Sequence, residues 1–193
     1  MRITGGKARG IQLKVPRGVK TRPAADVIRE ALFSSLGSRV DGQSFLDLFA
    51  GTGAYGLEAW SRGARGGLFV EKGKDSIDCL TENIRRVGKS AQLDESLVSA
   101  KRADVFRWRA PSTEKFDFVF ADPPYGLYPE VQIDLFRIAA ALVHPDGFFI
   151  LEKPARLAIS SPGWVGVNEV GKSKGDGPSI AIFQRSSVAK ADS

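Results

Sequence analysis

The chain has 193 residues, of which 42% are hydrophobic and 26% are charged, as expected of a globular protein rather than a disordered one. No apolar run reaches the length of a membrane span, and the single cysteine and single histidine exclude a disulfide or a Cys-rich or His-rich metal site. With no secretory signal visible, these features predict a cytoplasmic protein with no membrane partner and no metal.

The net charge of +6 is concentrated near the N-terminus. Seven of the 28 basic residues precede Asp26 with no acid among them, which leaves 21 basic against 22 acidic residues in the rest of the chain. Short strands are predicted at Ile3 and at residues 11–15, so a hairpin is favoured over the alternative of a solvated tail. A basic segment beside a neutral domain is typical of proteins that bind a phosphate backbone. The predicted nucleic-acid contacts are Arg2, Lys7, Arg9, Lys14, Arg17, Lys20 and Arg22.

The remainder of the chain alternates strand and helix patterns. A helix is predicted up to Leu36, with Asp26 as a possible cap and Gly37 as its end. Further helices are predicted from about Leu57 to Gly63, over 75–87 and over 131–143. The predicted strands are 44–49, 67–71, 97–103, 116–121, 148–151, 164–170 and 179–183.

This alternation predicts a doubly wound α/β fold, a mostly parallel sheet whose carboxyl edge carries the binding loops. The last two strands have no helix between them, so they are expected to form an antiparallel hairpin at the sheet edge. We expect three parts: a basic N-terminal hairpin over 1–25, an α/β domain over 26–187 and a disordered tail over 188–193.

A glycine loop leaves the strand that contains Asp47. Its Gly51-x-Gly53-x-x-Gly56 pattern matches the dinucleotide fingerprint, and Glu71 lies where that fingerprint has its ribose acid. The motif is therefore also compatible with an NAD(P) oxidoreductase. Asp47 favours S-adenosylmethionine instead, because a carboxylate beside a pyrophosphate would be repelled, whereas it could pair with the ammonium of S-adenosylmethionine.

In that interpretation each acid at a strand end has its own partner. Glu71 would accept from the ribose hydroxyls and the loop N–H groups would bind the carboxylate of the cofactor. Asp104, after the third strand, could accept from the adenine amino group, although a helix cap or surface acid fits its spacing equally well.

The segment Asp122-Pro123-Pro124-Tyr125 follows the apolar fourth strand. Two prolines fix the backbone and remove two N–H donors, so the segment is rigid and rich in acceptors. The Asp122 carboxylate and the Pro123 carbonyl could accept both hydrogens of an sp² amino group, and Tyr125 could stack on the base that carries it. The alternative is that the segment is only a structural turn. However, it follows its strand at the same edge of the predicted sheet as the glycine loop, and this position favours an amino methyltransferase.

These motifs together resemble the bacterial 16S rRNA guanine-N2 methyltransferase family of the RsmD type, nearly from end to end. The resemblance is carried by Arg2–Gly6, Arg9-Gly10, Thr21–Pro23, Arg29–Phe33, Asp47–Gly53, Gly56–Ala59, Ser61–Ala64, Phe69–Lys72 and Asp122–Tyr125. The N-terminal motifs are specific to this family, whereas the glycine loop and Asp-Pro-Pro-Tyr occur in many amino methyltransferases.

The resemblance implies a Rossmann-like class I fold with a seven-stranded sheet, S-adenosylmethionine as cofactor with S-adenosylhomocysteine as product, and guanine 966 of 16S rRNA in the small ribosomal subunit as substrate. It implies catalytic roles for Asp122, Pro123, Pro124 and Tyr125. The implied cofactor residues are Asp47, Phe49, Ala50, Gly51, Gly53, Glu71, Lys72, Asp104 and Asp122. The alternatives are a DNA adenine or protein glutamine methyltransferase, or an RNA-binding assembly factor without activity.

Overall fold

A computed structural model describes residues 1–18, 23–110, 113–128, 130–171 and 177–186. It contains four α-helices: α1 (Pro23–Leu36), α2 (Ala54–Ser61), α3 (Lys74–Ala91) and α4 (Gln132–Leu142). The strands are β1 (Ser44–Leu48), β2 (Gly66–Glu71), β3 (Val98–Arg102), β4 (Phe116–Ala121), β5 (Val143–Pro154), β6 (Trp164–Val170) and β7 (Pro178–Arg185). Short 3₁₀ helices lie at Gly37–Val40, Glu95–Leu97 and Tyr125–Leu127.

The strands of the described residues form one seven-stranded sheet in the order β3-β2-β1-β4-β5-β7-β6. The first five strands along the chain pair in parallel, whereas β7 pairs antiparallel with both β5 and β6. The predicted fold and its C-terminal edge hairpin are thus confirmed. The chain reverses direction across the sheet between β1 and β4, and ligand sites of such folds lie at the carboxyl ends of the strands at that switch point.

Successive residues of a strand point to opposite faces, and the sheet therefore separates two cores. Phe45 packs on the face covered by α1, α2 and α3, whereas its neighbour Leu46 packs on the face covered by α4. No helix among the described residues is long and apolar enough to cross a membrane.

Several boundaries differ from the sequence prediction. Helix α1 begins at Pro23, so Asp26 lies in its first turn, where it pairs with Arg29 at 3.0 Å instead of capping the helix. Strand β5 is 12 residues long and begins directly after α4, because it pairs with β4 on one side and β7 on the other. Helix α3 continues to Ala91, where Gln92 ends it in the left-handed region.

The N-terminal segment forms a turn rather than the predicted strands. Residues 2 and 12 form one isolated antiparallel bridge, and the Ile3 N–H donates to the Ile11 carbonyl at 3.0 Å. Ile3, Ala8 and Leu13 are buried in the core, while the basic residues Arg2, Lys7, Arg9, Lys14 and Arg17 are exposed. The two remaining predicted RNA contacts, Lys20 and Arg22, and the predicted tail over 188–193 lie outside the described residues.

A buried ionic network fixes this segment to the domain. Glu58 of α2 is fully buried and accepts from the Thr4 N–H and hydroxyl, each at 2.8 Å. The same carboxylate pairs with Arg29 at 3.3 Å and Arg62 at 2.8 Å, and Arg29 also donates to the carbonyl of Arg2. The segment is therefore part of the folded domain.

Candidate active site

The glycine loop turns sharply after β1. Phe49 has φ +57°, and Gly51 and Gly53 have φ +54° and +83°. A left-handed conformation at a non-glycine residue such as Phe49 is strained, and strain of this kind is concentrated at functional sites. Gly53 then caps α2, so the loop leads directly into the helix N-terminus.

Asp47, in β1, stabilises this loop from the buried side. Its side chain is 1% exposed and accepts from the Gly56 N–H at 2.9 Å. Burial raises the pKa of this carboxyl group to about 8, with the Gly56 hydrogen bond opposing the shift and the charge of Glu71 adding to it. The structure therefore places Asp47 beneath the loop, where its hydrogen bond holds the start of α2.

Two further predicted acids lie at the ends of β2 and β3. Glu71 accepts from the Gly51 N–H at 2.8 Å and from the Gly73 N–H at 2.6 Å, and thus joins the glycine loop to the start of α3. Asp104 pairs with Lys72 at 2.9 Å and accepts from the Phe106 N–H at 3.1 Å. The hydrogen bond from Lys72 lowers the pKa of Asp104, which keeps this group anionic.

The Asp-Pro-Pro-Tyr segment leaves the carboxyl end of β4, beside the glycine loop. The Asp122 N–H donates to the Leu48 carbonyl at 3.4 Å, so β4 and β1 end side by side. Pro123 is buried, Asp122 and Tyr125 are partly exposed, and Pro124 is exposed. The Leu127 N–H donates to the Pro124 carbonyl at 2.9 Å and closes the 3₁₀ turn that holds Tyr125.

A cavity of about 500 Å³ lies between these segments. It brings together Phe49, Glu71, Lys72, Asp104, Asp122 and Pro124 of the predicted site, and its remaining lining residues are Gly73, Val105, Phe106 and Leu127. The rings of Phe49 and Phe106 are 5.5 Å apart and form an aromatic wall. Ala50, Gly51 and Gly53 lie in the glycine loop that borders the cavity.

The N-terminal segment touches the same loop. Asn83 of α3 donates to the carbonyls of Lys14 and Thr52, at 2.9 and 3.0 Å, and accepts from the Lys14 N–H at 2.7 Å. The hydroxyl of Thr52 also lies 3.2 Å from the Met1 sulfur. The exposed basic side chains of the segment are thus carried by a backbone fixed to the glycine loop.

Sequence reasoning missed Glu152, at the carboxyl end of β5. This carboxylate is 5% exposed and accepts from the hydroxyls of Tyr55 and Tyr125. The signal was the one that identified Asp47 and Glu71, an acid that ends an apolar strand, but the predicted fifth strand stopped at Leu151. Of the described residues, no group of His, Cys, Asp and Glu could hold a metal ion.

Comparison with known proteins identifies the family. A family model described as conserved hypothetical protein 95 matches residues 1–179. The chain belongs to this family. A Bacillus subtilis relative named "Putative rRNA methyltransferase YlbH" is 31% identical over 152 residues, which are 79% of this chain and 82% of that protein.

Two further similarities are consistent with membership of this family. The Escherichia coli protein "Ribosomal RNA small subunit methyltransferase D" is 35% identical over 132 residues, 67% of this chain and 64% of that protein. The solved structure of "Putative methyltransferase yhhF from Escherichia coli" superposes with a TM-score of 0.76 at 28% identity, covering 96% of this chain and 97% of that chain. The family resemblance inferred from the sequence motifs is confirmed.

Proposed function

We propose that this protein transfers a methyl group from S-adenosylmethionine to the exocyclic N2 amino group of a guanine in 16S rRNA of the small ribosomal subunit, with guanine 966 as the expected position. The observation that carries the proposal is the Asp122-Pro123-Pro124-Tyr125 segment, which borders the same cavity as the glycine loop and Glu71 in a chain of this family.

The charges around the cavity favour S-adenosylmethionine over a dinucleotide. Glu71, Asp104 and Asp122 contribute three carboxylates to the described lining, and its cationic side chain, Lys72, is paired with Asp104. A pyrophosphate would be repelled by this surface, whereas a ligand with a sulfonium and an ammonium would be attracted. The residues present therefore fit the cofactor implied by the sequence.

Each part of the cavity has a proposed role in holding this cofactor. Glu71 would exchange one of its backbone hydrogen bonds for the ribose hydroxyls, and the aromatic wall of Phe49 and Phe106 would take the adenine ring with Asp104 beside it. The Gly51 N–H, which donates to Glu71 at 2.8 Å, would turn to the cofactor carboxylate when Glu71 binds the ribose. The Ala50 and Gly53 N–H groups donate to the carbonyls of Val70 and Ala50, so these two residues would shape the loop around the carboxylate. Asp47 would act through the loop it stabilises. When bound, the cofactor supplies an electrophilic methyl group on a sulfonium.

The Asp-Pro-Pro-Tyr segment would orient the target amino group. The Asp122 carboxylate and the Pro123 carbonyl accept its two hydrogens, and this leaves the nitrogen lone pair free to face the methyl donor. Tyr125 stacks on the base, and Pro124 fixes the backbone between Pro123 and Tyr125. Asp122 would also accept the proton that the methylated nitrogen must lose. Most of the rate enhancement then comes from positioning and electrostatics.

The exposed basic residues of the N-terminal segment would bind the rRNA backbone. Hydrogen bonds through Asn83 fix this segment to the glycine loop, so phosphates bound there would lie near the cavity. We propose that residues 1–25 provide RNA contacts and that the domain over 26–187 provides the chemistry.

Replacing Asp122 tests the proposal. We expect Asp122→Ala to lower the rate of methyl transfer to 16S rRNA or small subunits by about a hundredfold or more, because the amino group loses its charged acceptor. The affinity for S-adenosylmethionine should change much less than the rate, because Glu71 and Asp104 also contribute carboxylates to the cavity. The measurement is transfer of radiolabelled methyl groups to rRNA, DNA and protein, together with calorimetric titration of the cofactor.

Asp146→Ala is the matched control, because Asp146 is an exposed aspartate at the opposite edge of the sheet. It should leave transfer unchanged. Label that goes to DNA or protein rather than rRNA, or full activity in Asp122→Ala, would contradict the proposed function.

A further inference from the structure

Glu152 is a buried carboxylate that the proposed chemistry does not use. The last pair of the β4–β5 ladder is Ala121 with Leu151. Glu152 directly follows Leu151 on β5, and Asp122 directly follows Ala121, where β4 ends. The two carboxylates therefore follow adjacent parallel strands at the carboxyl edge of the sheet. Burying a charge is costly, and a buried ion contributes little to stability compared with an apolar residue. Its presence points to a geometric role.

All three tyrosines of the chain donate their hydroxyls to this one residue. Tyr55 donates to Oε2 at 2.5 Å and Tyr125 donates to Oε1 at 2.9 Å. Tyr128 donates instead to the backbone carbonyl of Glu152, at 2.8 Å. Both carboxylate oxygens are thus engaged by phenols, and Tyr128 provides a natural comparison that does not depend on the carboxylate.

The two phenols come from the two halves of the site. Tyr55 is the second residue of α2, directly after the glycine loop, and its ring stacks on Phe120 at 5.8 Å between centroids. Tyr125 belongs to the segment that would receive the target base. The Glu152 carboxylate is therefore a bridge of two hydrogen bonds between the cofactor loop and the base-binding segment.

The electrostatics keep the hydroxyls of Tyr55 and Tyr128 in the donor form. Burial, followed by the negative charges of Glu152 and Asp122, raises the pKa of Tyr55 well above its ordinary value. Burial and the same two charges raise the pKa of Tyr128. Each hydroxyl therefore stays protonated and directs its hydrogen toward Glu152.

We infer that Glu152 is a positioning residue that sets the orientation of the Tyr125 ring and couples it, through Tyr55, to the occupancy of the cofactor loop. The identities of the base that Tyr125 receives and of the cofactor that fills the loop rest on the proposed function, whereas the hydrogen-bonded link between the two segments does not. Glutamine at this position has nearly the same size but lacks the charge and offers one acceptor oxygen in place of two.

The first test is the kinetics of Glu152→Gln with small-subunit rRNA. We expect kcat to fall by about tenfold to a hundredfold, because a displaced ring misaligns the base, while the affinity for S-adenosylmethionine and the melting temperature change little. Tyr125→Phe should give a loss of similar size. An unchanged kcat in Glu152→Gln would overturn the inference.

Double variants separate a positioning role from a general structural one. If Glu152 acts through Tyr125, the pair Glu152→Gln/Tyr125→Phe should be no slower than the slower single variant. The control pair Glu152→Gln/Tyr128→Phe should show the product of the two single effects, because Tyr128 bonds to the backbone. Losses that multiply for Glu152 and Tyr125 would contradict the inference.

Hydrogen exchange tests the coupling without any RNA. Both the Leu127 N–H and the Tyr128 N–H are hydrogen-bonded within the turn that holds Tyr125. Adding S-adenosylmethionine should slow their exchange in the wild type, and Glu152→Gln should remove this response. A wild type that binds S-adenosylmethionine in the calorimetric titration but shows no response, or a response that is equal in the variant, would overturn the inference. A wild type that shows the response but does not methylate rRNA would instead contradict the proposed function alone.

Discussion

Asp47 is a buried acid whose protonation should change with pH in the folded state. Its pKa is raised from 3.8 to about 8, so between these values the folded chain binds a proton that the unfolded chain does not. The free energy of unfolding should therefore fall as pH rises from about 4 to about 8, by at most about 1.4 kcal/mol per pH unit from this group. Above about 8 both states are ionised and this contribution stays constant.

Asp47→Asn removes that titration while keeping an oxygen for the Gly56 N–H. Urea denaturation from about pH 4 to about pH 9 should show the variant gaining stability relative to the wild type as pH rises, with a plateau above about 8. The exposed Asp146→Asn variant is the matched control. A stability difference between Asp47→Asn and the wild type that does not vary with pH would contradict a buried, proton-binding Asp47.

The N-terminal segment shows how a basic sequence can be part of a core. Its apolar residues Ile3 and Leu13 are buried, and Thr4 bonds to the buried Glu58. Removing the segment would therefore expose a core and leave an ionic network incomplete, and weaker RNA binding by a truncated chain could reflect unfolding. Substitution of its exposed charges is the cleaner experiment.

Neutralising the exposed side chains Lys7, Arg9, Lys14 and Arg17 with glutamine should weaken binding to small-subunit rRNA. Each lost phosphate contact should reduce the slope of log K against log salt by about 0.7 to 0.9, because fewer counterions are released. The measurement is fluorescence anisotropy at several salt concentrations.

Two basic residues at the other edge of the sheet provide the control for this experiment. Arg39 and Arg65 are exposed and border a second, separate cavity, which lies at the amino ends of β1 and β4. Replacing both with glutamine should leave the slope near that of the wild type. If each charge removed lowers the slope of log K against log salt equally in the N-terminal and control variants, binding follows net charge alone. That result would contradict the proposed role of the N-terminal segment.

At the scale of the whole molecule, the sequence predicted what depends on local pattern. Apolar periodicity identified the strands and helices, and acids at strand ends identified Asp47, Glu71 and Asp122. It could not predict contacts between distant segments, such as Asn83 with Lys14 or Tyr55 with Glu152, because no local signal records which polar groups meet when the chain folds. The bridge at Glu152 is visible only once β5 lies beside β4.

The same limit explains why the sequence alone does not show how the N-terminal segment is fixed to the domain. Its charge pattern is local, whereas its anchoring through Glu58 depends on helix α2, more than 50 residues away. The molecule is thus one α/β fold with a basic segment fixed beside the carboxyl edge of its sheet. The glycine loop, the Asp-Pro-Pro-Tyr segment and the basic surface share that edge, as the proposed function requires.

The central claim is methylation of a guanine amino group in small-subunit rRNA, and mapping the modified nucleosides in cells tests it most directly. Small-subunit rRNA from cells with and without the gene would be digested and analysed by mass spectrometry. We predict that one N2-methylguanosine disappears without the gene and returns with the wild type but not with Asp122→Ala. An unchanged set of methylated guanines without the gene, or a restored methyl group on an adenine, would contradict the account.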